Sequence, residues 1–223
     1  MKRLCLILTL TAMVATPAFS QQSAPEIPFE SLPRPLKYSP DMNLGEILGI
    51  AVNSVGHIVI LNHPGSANQG PIWSNSTTQL LEFDEDGDFV REIGKGVYGI
   101  AYAHQVRFDD DDNLYLADDD AHMIEKRTKE GKFIFRLGEK GKAAAWQEGD
   151  PFNRPTHVAI SPVTGEMFIT DGYGNSRVHK YDSDGKHMMS WGESGSLEGQ
   201  FSLPHNIAMN GTDKVTVCDR ENF

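Results

Sequence analysis

The chain has 223 residues, with 20 Lys and Arg against 31 Asp and Glu, and a formal net charge of −11. That acidic balance, with no stripe of basic side chains, excludes the phosphate-binding surface that nucleic-acid recognition needs. Beyond the N-terminus no apolar run approaches the length of a membrane span.

The chain opens on a targeting segment. Lys2 and Arg3 give a positive start, Leu4 to Ala15 is apolar, and Ala18-Phe19-Ser20 places small residues at the cleavage positions. We read residues 1–20 as a signal peptide and the mature protein as secreted or periplasmic. Cys5 lies inside the apolar run rather than at its end, which argues against a lipid anchor. Cleavage leaves Cys218 as the sole cysteine, so no internal disulfide is expected and stability must come from burial and sheet pairing. Residues 21–44 carry five prolines and little periodicity, and read as a tether or an extended lead-in.

From residue 45 onward the sequence repeats itself. One unit is a short apolar strand, a polar turn, and an apolar strand closed by Asp: Val106 to Phe108 with Leu114 to Asp118, Val158 to Ile160 with Met167 to Asp171, and Ile207 to Met209 with Val215 to Asp219. A first copy, Ile50 to Val52 with Ile58 to Leu61, lacks the closing Asp. A second unit, strand, glycine turn, strand and terminal glycine, superimposes without gaps at 83–94, 127–138 and 181–192. Four short strands at a period near 50 are the signature of propeller blades, whereas helical repeats would space apolar residues by three and four. We therefore expect an all-β chain of NHL-type four-stranded blades at about 45–95, 100–140, 152–193 and an incomplete 201–223. Six such blades would need roughly 300 residues, so about four of six are expected here, with the C-terminal part missing.

The blade geometry ranks residues for function. The start of strand one and the end of strand two lie at the same rim of the central channel. Two positions before the leading aliphatic of strand one stand His104, Thr156 and His205 in successive blades. Two imidazoles at matching depth in alternate blades face each other across the axis, as two of three ligands of an open catalytic zinc site would. A lone histidine there would more often cap a strand; the repeat-matched pair is what raises the metal reading. The repeated Asp118, Asp171 and Asp219 read as acceptors for turn backbone. Tyr173 and Arg220, at the same rim, are not needed to make the turn.

Other motifs reduce to structure on comparison. Asp84 to Asp88 looks calcium-like, but the equivalent turn at 127–132 has few acids, and both read as hairpin turns. The acidic runs 109–112 and 118–120 read as solvated turns. Asn75 and Asn210 match glycosylation sequons of low specificity.

The segments 152–160, 171–178, Trp191-Gly-Glu, Gly199 to His205 and Asp219 to Asn222 resemble the peptidyl-α-hydroxyglycine α-amidating lyase family. The likeness is dense over 152–223 and thinner over 45–138. It implies a six-bladed propeller with a catalytic zinc held by three histidines, a structural calcium on the axis, and cleavage of a carbinolamide into a peptide amide and glyoxylate. By the same resemblance His104 and His205 are zinc ligands, Tyr173 is the base and Arg220 a substrate-side arginine. Ile50 and Val106 would bind calcium through their carbonyls. The third histidine would lie beyond Phe223. The family carries an arginine where this chain reads Asn62-His63-Pro64-Gly65, and a cysteine where it reads Gly174. Two other readings stand beside the lyase: a non-catalytic propeller binding peptide, glycan or protein, and a calcium-dependent lactonase-type hydrolase. For the lyase the expected partner is a small peptide-like substrate, and the protein a monomer.

Overall fold

Apolar runs broken by Asp- and Gly-containing turns fold here into antiparallel meanders. The computed structural model describes residues 26–64, 78–95, 100, 102–148, 151–212 and 214–222. The segment read as a signal peptide and the Asn75 sequon lie outside the described residues. The chain divides into two units, Met1–Pro33 and Arg34–Phe223. In the first unit, residues 26–33 are exposed and form no strand. Among the described residues, the second unit holds every strand.

Blade one comprises β1 (Glu46–Val52), β2 (Ile58–His63), β3 (Gln79–Phe83) and β4 (Phe89–Ile93); blade two comprises β5 (Ala103–Phe108), β6 (Leu114–Asp118), β7 (Met123–Arg127) and β8 (Phe133–Leu137). Blade three comprises β9 (His157–Ile160), β10 (Met167–Asp171), β11 (Arg177–Tyr181) and β12 (His187–Trp191). Each is a four-stranded sheet in sequence order with antiparallel pairing throughout. A short parallel pair, β13 (Glu193–Ser194) and β14 (Gln200–Phe201), leads to the antiparallel pair β15 (Pro204–Asn210) and β16 (Lys214–Asp219), the first two strands of a fourth blade. The innermost strands β1, β5, β9 and β15 adjoin one another in succession. The chain is all-β, built of propeller blades. Among the described residues no helix is long and apolar enough to cross a membrane.

Period-two alternation decides what each strand buries. In β2, Val59 and Leu61 pack with Leu80 and Ile93 against Val106, Leu114 and Leu116 of the next blade. Ile60 faces the other way, onto Leu81 and Phe83, where Leu36, Met42 and Leu44 cover it. Residues 34–44 therefore pack on the flank of blade one. Blades two and three meet through Tyr115, Ala117, Ile124 and Leu137 against Phe152, Val158, Met167 and Ile169. Each fully buried aliphatic contributes about 1.5–3 kcal/mol relative to exposure. Burial on both faces is why the second strands β2, β6 and β10 open as near-continuous apolar runs.

The turns repeat as chemistry. Asp84 Oδ1 accepts the amides of Asp86 and Asp88 at 3.1 and 2.8 Å, Asp109 Oδ1 those of Asp111 and Asn113 at 3.1 and 2.8 Å, and Asp182 Oδ1 those of Asp184 and Lys186 at 3.0 and 2.8 Å. Thr128 serves the same purpose through its hydroxyl. The calcium-like run 84–88 is thus an Asx-type hairpin turn.

Candidate functional site

The closing Asp of each second strand ties that strand to the segment entering the first. Asp118 Oδ1 accepts the amides of Tyr102 and Ala121, both at 3.0 Å. Asp171 accepts Asn153 N at 2.9 Å and Asn175 Nδ2 at 3.0 Å, and Asp219 accepts Ser202 N and Leu203 N. In blade one Asn62 takes this place, its Oδ1 accepting Gly45 N at 2.8 Å. These anchors fix where the first strands begin.

The first strands of blades two and four then carry one extra residue. Pairing jumps from Ala103–Asp118 to Gln105–Ala117, and from Pro204–Asp219 to Asn206–Cys218. The residues skipped are His104 and His205. A bulge re-aims a side chain without disturbing the ladder on either side, and here it turns both rings onto one point. Their ring centroids are 5.0 Å apart with planes at 82°. His104 Nδ1 donates to Thr156 O at 3.0 Å, which leaves Nε2 facing inward. Thr156, the equivalent position in blade three, is itself buried and bonds through Oγ1 to Thr170 Oγ1 and to Pro204 O.

Tyr173 completes the triangle. Its hydroxyl lies 3.1 Å from His104 Nε2 and 2.9 Å from His205 Nε2. The phenol reaches this point because its flanking residues have no Cβ. A Cβ on Gly172 would come within 2.2 Å of Pro204 O, and one on Gly174 within 2.1 Å of Asn153 Oδ1. Where the resemblance places a cysteine, this chain has a backbone packed too closely for any side chain.

The electrostatics follow from burial and two guanidinium groups. Burial holds His205 down to about 4, with His104 and Arg220 adding to the effect, so its ring is neutral at neutral pH. Burial also raises the Tyr173 phenol, and the opposing pull of Arg220 and Arg154 is smaller. Arg220 places its guanidinium carbon 5.6 Å from the Tyr173 ring centroid while its Nε bonds to Glu221 Oε1 at 3.0 Å. Arg154 stands 5.0 Å from the same ring. It is held by Asp119 Oδ2 at 2.7 Å and, through its backbone amide, by His122 Nδ1 at 3.1 Å. Sequence reasoning missed Arg154. It precedes a proline and has φ +66°, a conformation that a non-glycine residue adopts rarely and that spacing does not reveal.

His63 is not at the rim as a free group. It is buried, its Nε2 bonds to Ala103 O at 2.9 Å, and its ring stacks on Tyr102 at 4.4 Å. Burial lowers its pKa, so it is a neutral support for the strand that carries His104 rather than a stand-in for an arginine. The carbonyls of Ile50 and Val106 do face a common point. That point holds Nη1 of Arg107, at 3.0 and 2.8 Å.

The donor set at the His104–His205 point suits zinc chemically. Two imidazole nitrogens converge on one phenol oxygen, and a phenol has only one proton to donate. His104 Nε2, whose ring carries its proton on Nδ1, accepts that proton. The His205 contact is filled only in the tautomer protonated on Nε2, and the opposite tautomer offers a second nitrogen lone pair to a cation with N and O preference. Among the described residues no group of three or more His, Cys, Asp or Glu is placed to hold a metal ion.

No family model matches the chain. It is 31% identical over 201 residues to the peptidylglycine alpha-amidating monooxygenase of Rattus norvegicus, covering 80% of this chain and 20% of that protein. It is 28% identical over 203 residues to a probable peptidyl-alpha-hydroxyglycine alpha-amidating lyase of Caenorhabditis elegans, covering 83% of this chain and 56% of that protein. The chain thus spans between a fifth and somewhat over half of these relatives. Among solved structures, the virginiamycin B lyase from Staphylococcus aureus superimposes with TM-score 0.55 at 19% identity, over 81% of this chain and 53% of that one. At that identity the match speaks for the propeller fold alone.

Proposed function

We propose, on the premise that the chain is a homologue of the peptidyl-α-hydroxyglycine α-amidating lyases, that its rim site cleaves a carbinolamide. The substrate is a peptide ending in α-hydroxyglycine. Its hydroxyl loses a proton, the C–O bond becomes a carbonyl, the C–N bond breaks, and the departing amide nitrogen takes up a proton. The products are a peptide amide and glyoxylate. The observation that supports this reading most is the convergence of His104 Nε2 and His205 Nε2 on the Tyr173 hydroxyl.

Zinc held by His104, His205 and the third histidine that the resemblance implies would supply Lewis acidity toward the substrate hydroxyl and positive charge beside the phenol. Tyr173 accepts the hydroxyl proton. Left to itself the phenol keeps its own proton at neutral pH, since burial outweighs the two arginines. Thr156 O fixes the tautomer of His104. Arg220 and Arg154 flank the phenol and present guanidinium groups to the substrate carboxylate. In this reading Arg154 replaces the arginine that the family carries in blade one. We place the mature protein outside the cytoplasm on the strength of its leader.

The test is glyoxylate release from a peptide ending in α-hydroxyglycine, run on the full chain with and without added zinc and after chelation. Turnover that needs the metal and disappears in Tyr173→Phe supports the lyase. Absence of both turnover and bound zinc would leave a scaffold that only binds.

A further inference from the structure

Two carbonyl oxygens of neighbouring first strands, Ile50 O on β1 and Val106 O on β5, face one point, and converging lone pairs repel unless something positive lies between them. In this chain that something is a side chain. Arg107, on β5, folds its guanidinium back into the channel. Nη1 donates to Ile50 O of β1 at 3.0 Å, to Val106 O of its own strand at 2.8 Å and to Gln105 Oε1 at 3.3 Å. Nη2 donates to His157 Nε2 of β9 at 2.6 Å. One side chain therefore ties the first strands of three blades together.

Its surroundings suit a half-buried cation with no counter-ion. Among the described residues no carboxylate forms an ion pair with Arg107, and its partners are carbonyl, amide and imidazole acceptors. Burial pushes its pKa down without removing the charge from a group that titrates so high. His157 is held to about 3, by burial first and then by Arg107, and so stays the neutral acceptor the contact needs. Blade one comes near enough because of Gly49. A Cβ there would lie 2.7 Å from Gln105 Oε1 and 3.0 Å from Val106 N. The residues do not fit calcium in this arrangement: the two carbonyls are already occupied as acceptors, and an imidazole nitrogen is a poor ligand for a cation that takes six to eight oxygens.

We propose that the Arg107 guanidinium is the axial cation of this propeller, built into the chain in place of a bound calcium ion. Neutralising the inner ring is then part of folding and independent of metal supply. The inference stands on the channel contacts alone and does not depend on the lyase reading.

The full chain is titrated with Ca²⁺ alone, its calcium content is measured after dialysis, and its Tm is compared in excess calcium and in chelator. The wild type should retain no stoichiometric calcium, and its Tm should be the same in both. Arg107→Gln, which shortens the side chain and loses the charge and most donors, should lower Tm in chelator by about 5 °C or more. Uptake of one equivalent of calcium by the wild type, with a rise in Tm, would overturn the proposal, as would an unchanged Tm in Arg107→Gln. If Arg107→Gln does not fold, the loss counts as destabilisation and the wild-type calcium titration decides.

Discussion

Two sets of repeat-equivalent positions lie one strand apart at the same rim, and they behave in opposite ways. Positions 118, 171 and 219 are all Asp and all accept backbone amides from the segment entering their blade. Positions 104, 156 and 205 read His, Thr and His, and they do not share one role. His104 and His205 meet Tyr173, while Thr156 locks the tautomer of one of them. Sameness across blades marks what every blade needs in order to fold. Divergence at an equivalent position marks where one blade has been released for another purpose.

The sharpest way to break this comparison is to mutate one member of each set and read activity and stability separately. Tyr173→Phe or His205→Ala should lower lyase turnover by about 10²–10⁴-fold while shifting unfolding free energy by about 1 kcal/mol or less. Asp171→Ala should do the reverse in kind. It strips a buried acceptor from Asn153 N and Asn175 Nδ2, and chemical denaturation should show a loss of about 3 kcal/mol. If Asp171→Ala were as stable as the wild type, the division between scaffold and site would fail.

A smaller effect sharpens the role of the two arginines. Arg154→Ala should raise KM by about tenfold with kcat less affected, because a charged hydrogen bond to a substrate carboxylate is removed. Arg154→Lys should recover part of it. A loss confined to kcat would instead make Arg154 a tuner of the Tyr173 phenol.

The weakest handle is pH. His157 and His205 have folded pKa values of about 3 and about 4, below the ordinary 6.5. Between those values the unfolded chain binds more protons than the folded one. Their contribution to stability is therefore complete above pH 6.5 and is lost progressively as pH falls through 4 toward 3. Tm should decline over that window, and His157→Gln should flatten its lower part.

Much of this was legible in the sequence because propeller blades repeat locally. Strand, turn and, in three blades, a closing Asp recur at similar spacing, so the four-stranded blade pattern and the equivalence of His104 with His205 could be read without coordinates. What could not be read depends on contacts between residues far apart in the chain. Arg107 alternates on β5 like any polar residue, and nothing in its neighbours tells that it reaches Ile50 and His157. Arg154 lies in a segment already singled out by resemblance, yet its approach to Tyr173 follows from the turn at Asp119 and His122. His63 stands where the family carries an arginine, and only its stacking on Tyr102 and its bond to Ala103 O, 40 residues away in the chain, show that it is a buried support.

The extra residue in the first strand carries a wider lesson about how such a protein can change. Blade one has the same irregularity, with pairing that jumps from Ile47 to Gly49 and leaves Leu48 over. There the spare residue packs against the apolar cluster around Val59 and Val106. One backbone detour thus hosts a hydrocarbon in one module and an imidazole in two others. The detour is common property of the architecture, and swapping what hangs from it leaves the neighbouring ladder rungs untouched.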